Sequence, residues 1–106
     1  MIVTLTTDFG ASEYVAAIKG VLLGMNPDVR IVDVRHDLAP GNVAEGAFAL
    51  FTAAPCFPFA VHVGVVDPGV GTSRRGLAVV CEGALFVGPD NGLLMQIGRA
   101  SCRERV

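Results

Sequence analysis

The chain has 106 residues, a formal net charge of −2, and a composition that is 52% hydrophobic and 17% charged. This length accommodates one domain at most, and its apolar runs are far shorter than the roughly 18–20 residues of a membrane-spanning helix. The basic residues form no stripe, which argues against a nucleic-acid-binding protein. No basic region followed by an apolar one opens the chain, so no secretory signal is predicted and we expect a cytoplasmic protein.

The hydrophobic fraction exceeds the roughly 45–50% of an average soluble domain. We therefore expect apolar surface that a second domain or a neighbouring subunit covers. The cysteines, Cys56, Cys81 and Cys102, show no Cys-x-x-Cys spacing. They are predicted to be free, buried thiols, and no metal site is predicted.

Residues 2–66 alternate between short β-branched segments and segments with apolar residues at helical spacing. Ser12 precedes the first helix as a possible cap, and Asn42 with Glu45 has the spacing of a capping box. The predicted elements are a strand at Ile2–Thr6, a helix at Glu13–Met25, a strand at Val29–Val34, a helix from Asn42 to Pro55 and a strand at Phe59–Val66.

A hairpin follows, with strands at Gly76–Cys81 and Leu85–Val87 and its turn at residues 82–84, and Gly92–Ile97 begins a further helix. This order predicts an α/β fold: a largely parallel sheet with a mixed edge and flanking helices, as in a Rossmann-like amino-terminal domain. We expect residues 1–98 to form that domain in truncated form. Residues 99–106 depart from the pattern as a basic tail, either an ordinary charged terminus or a foreign segment.

Polar clusters follow the predicted strands, at the edge of the sheet where open α/β folds bind ligands. Asp8 follows the first strand, His36 the second, Asp67 and Arg74 the third, and Asp90 the hairpin. A site for a polar small molecule is expected where these loops converge.

Each cluster also has an ordinary structural interpretation. Asp8 could cap the next turn or helix, and Asp67-Pro68-Gly69 is a common turn sequence. His62 lies within an apolar strand and is expected to be a hydrogen-bonded core residue. The generic nucleotide-binding motifs fail, since no Lys-Ser/Thr follows the glycines and no G-x-G-x-x-G opens a helix.

As an ordered set, the clusters resemble the S-adenosyl-L-methionine (SAM) hydroxide adenosyltransferases, the adenosine-forming SAM hydrolases related to fluorinases and chlorinases. The resemblance covers about residues 1–98. Its motifs are Thr6-Thr7-Asp8-Phe9-Gly10, Tyr14 with Lys19-Gly20, His36-Asp37-Leu38-Ala39-Pro40, Val63-Gly64-Val65-Val66-Asp67-Pro68-Gly69-Val70-Gly71-Thr72 with Arg74-Arg75, and Phe86-Val87-Gly88-Pro89-Asp90-Asn91-Gly92.

The resemblance implies roles for individual residues. Asp8 would hold the ribose hydroxyls, and Asp67 with Arg74 would bind, orient and activate water as part of an Asp-Arg-His set. The family's histidine lies beyond this chain, and neither His36 nor His62 takes its place. The family's adenine and methionine contacts are largely in an absent carboxy-terminal domain, and its sites form between subunits of a trimer. The resemblance thus implies SAM as substrate, no cofactor, no metal, a homotrimeric parent, and an isolated chain without activity.

Two other functions stay open at this point. A SAM-dependent halogenase shares the scaffold, but those relatives carry an aromatic residue where Asp67 stands and lack the equivalent of Arg74. A non-catalytic adenosine- or SAM-binding module is the second. The presence of both Asp67 and Arg74 favours the hydrolase over each of them.

Overall fold

The computed structural model describes residues 1–67 and 75–95 and the backbone of residues 103–105. Its strands are β1 (Ile2–Thr7), β2 (Arg30–Arg35), β3 (Val61–Val65), β4 (Gly76–Cys81), β5 (Ala84–Pro89) and β6 (Arg103–Arg105). Its helices are α1 (Glu13–Met25) and α2 (Val43–Ala53), with a 3₁₀ turn at Ala54–Cys56 after α2.

The strands form a single sheet in the order β2-β1-β3-β5-β4-β6. The pairs β1–β2, β1–β3 and β3–β5 are parallel, while β4 runs antiparallel to both β5 and β6. The predicted α/β class, with a largely parallel sheet and a mixed edge, is confirmed.

The helices α1 and α2 lie against opposite faces of the sheet. Lys19 of α1 forms an ion pair with Asp33, which stands beside Leu5 in the register of β1 and β2. Leu50 of α2 instead lies over Gly64, which stands beside Thr6. Because successive residues of a strand point to opposite faces, Leu5 and Thr6 mark the two sides. The connection from β1 to β2 therefore runs over one face of the sheet, and the connection from β2 to β3 runs over the other face.

The helix α1 has the predicted bounds, but Ser12 at its N-cap position makes no side-chain hydrogen bond to the helix, so that predicted cap is wrong. Asn42 does cap α2, since its side chain accepts a hydrogen bond from the Glu45 amide. The predicted strand at Phe59–Val66 begins later because Phe59 is left-handed, with φ 67°, in the turn before β3.

Apolar surface is left uncovered in the described part of the chain. No residue of α1 is buried, and Tyr14, Val21 and Met25 are 64%, 63% and 79% exposed. On α2, Phe48 is 73% exposed. These exposures agree with the expectation, drawn from composition, that another domain or subunit covers part of this surface. No helix among residues 1–67 and 75–95 is long and apolar enough to cross a membrane.

Two sequence predictions concern the cysteines and the tail. Cys56 is a free thiol, as predicted, but it is exposed and not buried. Cys81 is in a disulfide, so the prediction of a free thiol is wrong there. The backbone of Arg103–Arg105 pairs with β4, although the sequence predicts no element after Gly98. The origin of residues 99–106 stays a prediction.

The core between α2 and the sheet requires a glycine in β3. A Cβ on Gly64 would lie 2.8 Å from Leu50 Cδ1 and 2.9 Å from Leu93 Cδ2, and both leucines are 1% exposed. We expect Gly64→Ala to lower the free energy of unfolding by about 1–3 kcal/mol, because these packed side chains cannot both move aside. The measurement is urea denaturation of the 106-residue chain.

Gly24→Ala is the matched control, since a Cβ there has no neighbour within 4 Å. Gly24 lies in α1, where alanine stabilises a helix by up to about 1 kcal/mol relative to glycine. A Gly64→Ala variant as stable as the wild type would contradict this account of the core.

Candidate functional site

The predicted site residues Asp8 and Asp67 follow adjacent strands of the sheet, β1 and β3. The strands β1 and β3 are parallel neighbours. In the strand order, β2, which follows β1 in the chain, lies on one side of this pair, and β4, which follows β3, lies on the other side. Such a switch point opens a crevice at the carboxyl ends of the two strands, which is where open α/β sheets bind ligands. Asp8 directly follows β1, and its amide donates to the carbonyl oxygen of Val65 at the end of β3, with N···O 3.3 Å. Asp67 stands two residues further along the chain.

The Asp8 carboxylate joins two of the predicted polar clusters. Its Oδ2 accepts a hydrogen bond from the Gly41 amide at 2.7 Å, across 33 residues of sequence. Oδ1 has no hydrogen-bond partner within the described part of the chain, and the residue is partly exposed. Asp8 is therefore no local turn cap: its Oδ2 anchors the loop after β2, and its Oδ1 makes no hydrogen bond to the described residues.

His36 adds two links between the same loops. Its carbonyl oxygen accepts from the Gly10 amide at 2.7 Å, and its Nδ1 lies 2.7 Å from the hydroxyl oxygen of Thr7. Its Nε2 lies 2.7 Å from Oδ1 of Asp33. The loops that follow β1 and β2 thus form one hydrogen-bonded unit around Asp8.

The end of β3 is held by the loop after β5. The side-chain amide of Asn91 donates to the Val66 carbonyl oxygen at 2.7 Å, and its Oδ1 accepts from the Leu93 amide at 3.1 Å. Because Val66 is fully buried and immediately precedes Asp67, this bond fixes where Asp67 leaves the sheet. Arg75 forms an ion pair with Asp90 at 2.8 Å, which ties the start of β4 to the same loop.

Arg74, the second predicted catalytic residue, lies outside the described residues, as do residues 68–74 as a whole. The clusters with Asp8, His36 and Asp90 are all described, whereas only Asp67 is described from the cluster that includes Arg74. Sequence reasoning missed the contributions of Gly41 and Asn91. The only local signal for either was the turn-forming Asp90-Asn91-Gly92, which says nothing about the bond to Val66.

His62 is a core residue, as predicted, but only one of its ring nitrogens is hydrogen-bonded, since Nε2 is buried without a partner among the described residues. Its side chain is fully buried, its Nδ1 lies 2.7 Å from the Thr4 hydroxyl oxygen, and its ring stacks on Phe86 with centroids 4.8 Å apart. Burial lowers the pKa of the His62 imidazole because it disfavours the charged form. His62 contributes no group to the crevice.

The arrangement suits a neutral or cationic polyol. The Asp8 oxygen that bonds to no described residue can accept hydrogen bonds from sugar hydroxyls, and two carboxylates at neighbouring strand ends disfavour anions. In a comparison with protein families, residues 3–105 match the model of the SAM hydroxide adenosyltransferase N-terminal domain. The chain belongs to this family.

Relatives in the SAM hydroxide adenosyltransferase family are similar along most of the chain. An (R)-S-adenosyl-L-methionine hydrolase from Salinispora tropica is 48% identical over 99 residues, covering 92% of this chain and 38% of the relative. One of the same name from Methanocaldococcus jannaschii is 46% identical, covering 99% of this chain and 42% of the relative. A fluorinase from Nocardia brasiliensis is more distant, at 35% identity, with 91% and 40% covered.

Among solved structures, an uncharacterized conserved protein from Thermotoga maritima superimposes with a TM-score of 0.86 at 39% identity. The match covers 98% of this chain and 42% of that protein. The chain thus spans well under half the length of the proteins it matches. The Rossmann-like α/β fold predicted from the sequence is shared with this structure.

Proposed function

We propose that the protein to which this chain belongs hydrolyses SAM to adenosine and L-methionine. One observation carries the proposal: Asp8 and Asp67 follow the neighbouring parallel strands β1 and β3 at the switch point of the sheet. Two carboxylates placed in this way can serve different parts of one ligand. The names of the more similar relatives support the same reaction.

Asp8 would bind the ribose. Its Oδ2 is occupied by the Gly41 amide, and Oδ1 has no hydrogen-bond partner within the described residues. A hydroxyl that donates to a carboxylate forms a short, charge-assisted bond, which fixes the sugar and hence its 5′ carbon. This contact is to a part of SAM that does not react, so it serves binding and orientation.

Asp67 and Arg74 would serve the reacting end. Water attacks the ribose 5′ carbon, the carbon–sulfur bond breaks in line with the attack, and the electron pair stays on the methionine thioether. Asp67 accepts or orients the water proton, and the Arg74 guanidinium favours the hydroxide form. The sulfonium is already a good leaving group, so alignment and a usable nucleophile suffice, and no metal or cofactor takes part in the proposed step.

The choice of water over a halide follows from the charge of Asp67. A carboxylate beside the nucleophile repels chloride and fluoride, whereas it accepts a proton from water. The fluorinase relatives share the scaffold at lower identity, which keeps halogenation the less favoured function. A homotrimer and a cytoplasmic location, both expected from the sequence, belong to the same proposal.

The test uses a chimera in which residues 1–95 are followed by the remaining carboxy-terminal part of the Salinispora tropica relative. We expect adenosine and methionine in equal amounts from SAM, and no 5′-halo-5′-deoxyadenosine in excess chloride or fluoride, as measured by liquid chromatography and mass spectrometry. Preferential formation of the halogenated nucleoside would establish the halogenase instead. Binding of SAM without turnover would establish the non-catalytic module.

A further inference from the structure

His36 connects the two loops that enclose Asp8. Its carbonyl oxygen accepts from Gly10, two residues after Asp8, and its imidazole bonds to Thr7, the residue before Asp8. The two contacts therefore bracket the carboxylate on both sides. With the Gly41 amide on Oδ2, Asp8 is held entirely by groups from the loop after β2 and by the end of β3.

The direction of each hydrogen bond is determined by the donors available. The Thr7 hydroxyl oxygen already accepts from the Phe9 amide at 3.2 Å, and Thr7 is fully buried. The ionised Asp33 carboxylate can only accept, so Nε2 of His36, 2.7 Å from its Oδ1, carries the imidazole proton. In the neutral imidazole Nδ1 is then an acceptor, and the Thr7 hydroxyl donates to it. Nε2 then donates to Oδ1 of Asp33, whose Oδ2 accepts from Lys19 at 2.8 Å.

The hydrogen bonds that start at Thr7 and His36 end at an ion pair between Asp33 and Lys19. The hydrogen bond from Lys19, and after it the one from His36, lowers the pKa of the Asp33 carboxyl, so Asp33 is ionised and accepts on both oxygens. Lys19 lies on α1 and Asp33 on β2, both within the regular elements of the fold. The side chain of His36 is 16% exposed. One ring nitrogen bonds to Asp33, which lies on β2, and the other bonds to Thr7, the residue before Asp8.

We propose that His36 is a positioning residue that aims the Asp8 carboxylate at the ribose of the bound nucleoside. This inference rests on the proposed function, because it assumes that Asp8 binds ribose. His36 acts through Thr7 and Asp8 and does not touch the substrate. Its role is in binding rather than in the chemical step, so its loss raises KM and leaves kcat nearly unchanged.

The binding test compares adenosine with 2′-deoxyadenosine by calorimetry in the chimera. His36→Ala is expected to weaken adenosine binding about tenfold, somewhat less than the loss of a whole hydrogen bond to a charged group, and 2′-deoxyadenosine binding less. His36→Asn keeps an acceptor near the Nδ1 position and should restore most of the affinity. His36→Gln places its amide near the Nε2 position, leaves the Thr7 hydroxyl without a partner near Nδ1, and should behave like alanine. Asp37→Asn is the matched control, since Asp37 is in the same loop but bonds outward to Arg35.

A double-mutant cycle separates positioning from general damage. If His36 acts through Asp8, His36→Ala has little further effect in an Asp8→Asn background. An equal loss in both backgrounds, or the same loss for both nucleosides, would overturn the proposal. So would wild-type affinity in His36→Ala.

A further measurement needs no ligand and uses the 106-residue chain itself. His36→Ala should speed amide hydrogen exchange at Gly10 and Gly41 at least tenfold, while Gly83, in the distant β4–β5 turn, stays unchanged. A chimera that fails to bind nucleosides would remove the proposed function. Unchanged exchange at Gly10 and Gly41 would remove the role of His36.

Discussion

Replacing Asp67 by alanine in the chimera is expected to lower the turnover of SAM by about 10²–10⁴-fold, the usual contribution of a positioned acid–base group. Arg74→Ala should cause a loss of similar size. Water is a weak nucleophile at neutral pH, and the substrate cannot compensate for the loss of the group that orients it. The measurement is the rate of adenosine formation at saturating SAM, together with KM.

Arg75→Ala is the matched control for this experiment. Arg75 neighbours Arg74 in sequence but forms an exposed ion pair with Asp90, and pairs of this kind contribute only about 0–1 kcal/mol. We expect its turnover to stay close to the wild type. If Asp67→Ala and Arg74→Ala both turned over SAM as fast as the wild type, the assignment of these two residues to the chemical step would be wrong.

Asp8→Asn is expected to weaken adenosine binding by about 1.5–3 kcal/mol, the contribution of hydrogen bonds to a charged group. The asparagine keeps an oxygen for the Gly41 amide, which Asp8 Oδ2 binds at 2.7 Å, so the loops stay joined while the negative charge is lost. Because 2′-deoxyadenosine lacks one hydroxyl, its penalty relative to adenosine should shrink in the variant.

The measurement is a two-by-two calorimetric cycle of two nucleosides and two proteins. Asp28→Asn serves as the control, since Asp28 is exposed and precedes β2, at the opposite edge of the sheet. Equal losses for adenosine and 2′-deoxyadenosine would show that Asp8 only maintains the loops and does not bind the ribose.

The local sequence predicts the bounds of several helices and strands correctly. The bounds of α1 follow from apolar spacing that ends at Asn26-Pro27, and β4 follows from a short apolar run before Glu82-Gly83. Errors occur where the backbone departs from local preference. Phe59 looks like a strand residue, yet it adopts a left-handed conformation in the turn before β3. Ser12 looks like a helix cap, yet its hydroxyl is buried without a partner in the described structure.

The placement of the site could also be predicted in outline. Polar residues after buried parallel strands come together because those strands end at one edge, which is why Asp8 and Asp67 could be named from the sequence. The order β2-β1-β3 in the sheet could not be predicted from the sequence. A pattern of apolar residues indicates that a strand is buried, but it does not indicate which strand lies beside it.

By itself, then, the sequence determined the element types, because these depend on periodicity within a few residues. The alternation of strands and helices gave the parallel character of the sheet, and it placed Asp8 and Asp67 after β1 and β3. Only the tertiary structure decided what holds those residues. The bonds of Gly41 to Asp8, His36 to Thr7 and Asn91 to Val66 join positions 33, 29 and 25 residues apart. Such bonds form only once the loop backbones are fixed by packing, and no local pattern encodes that conformation.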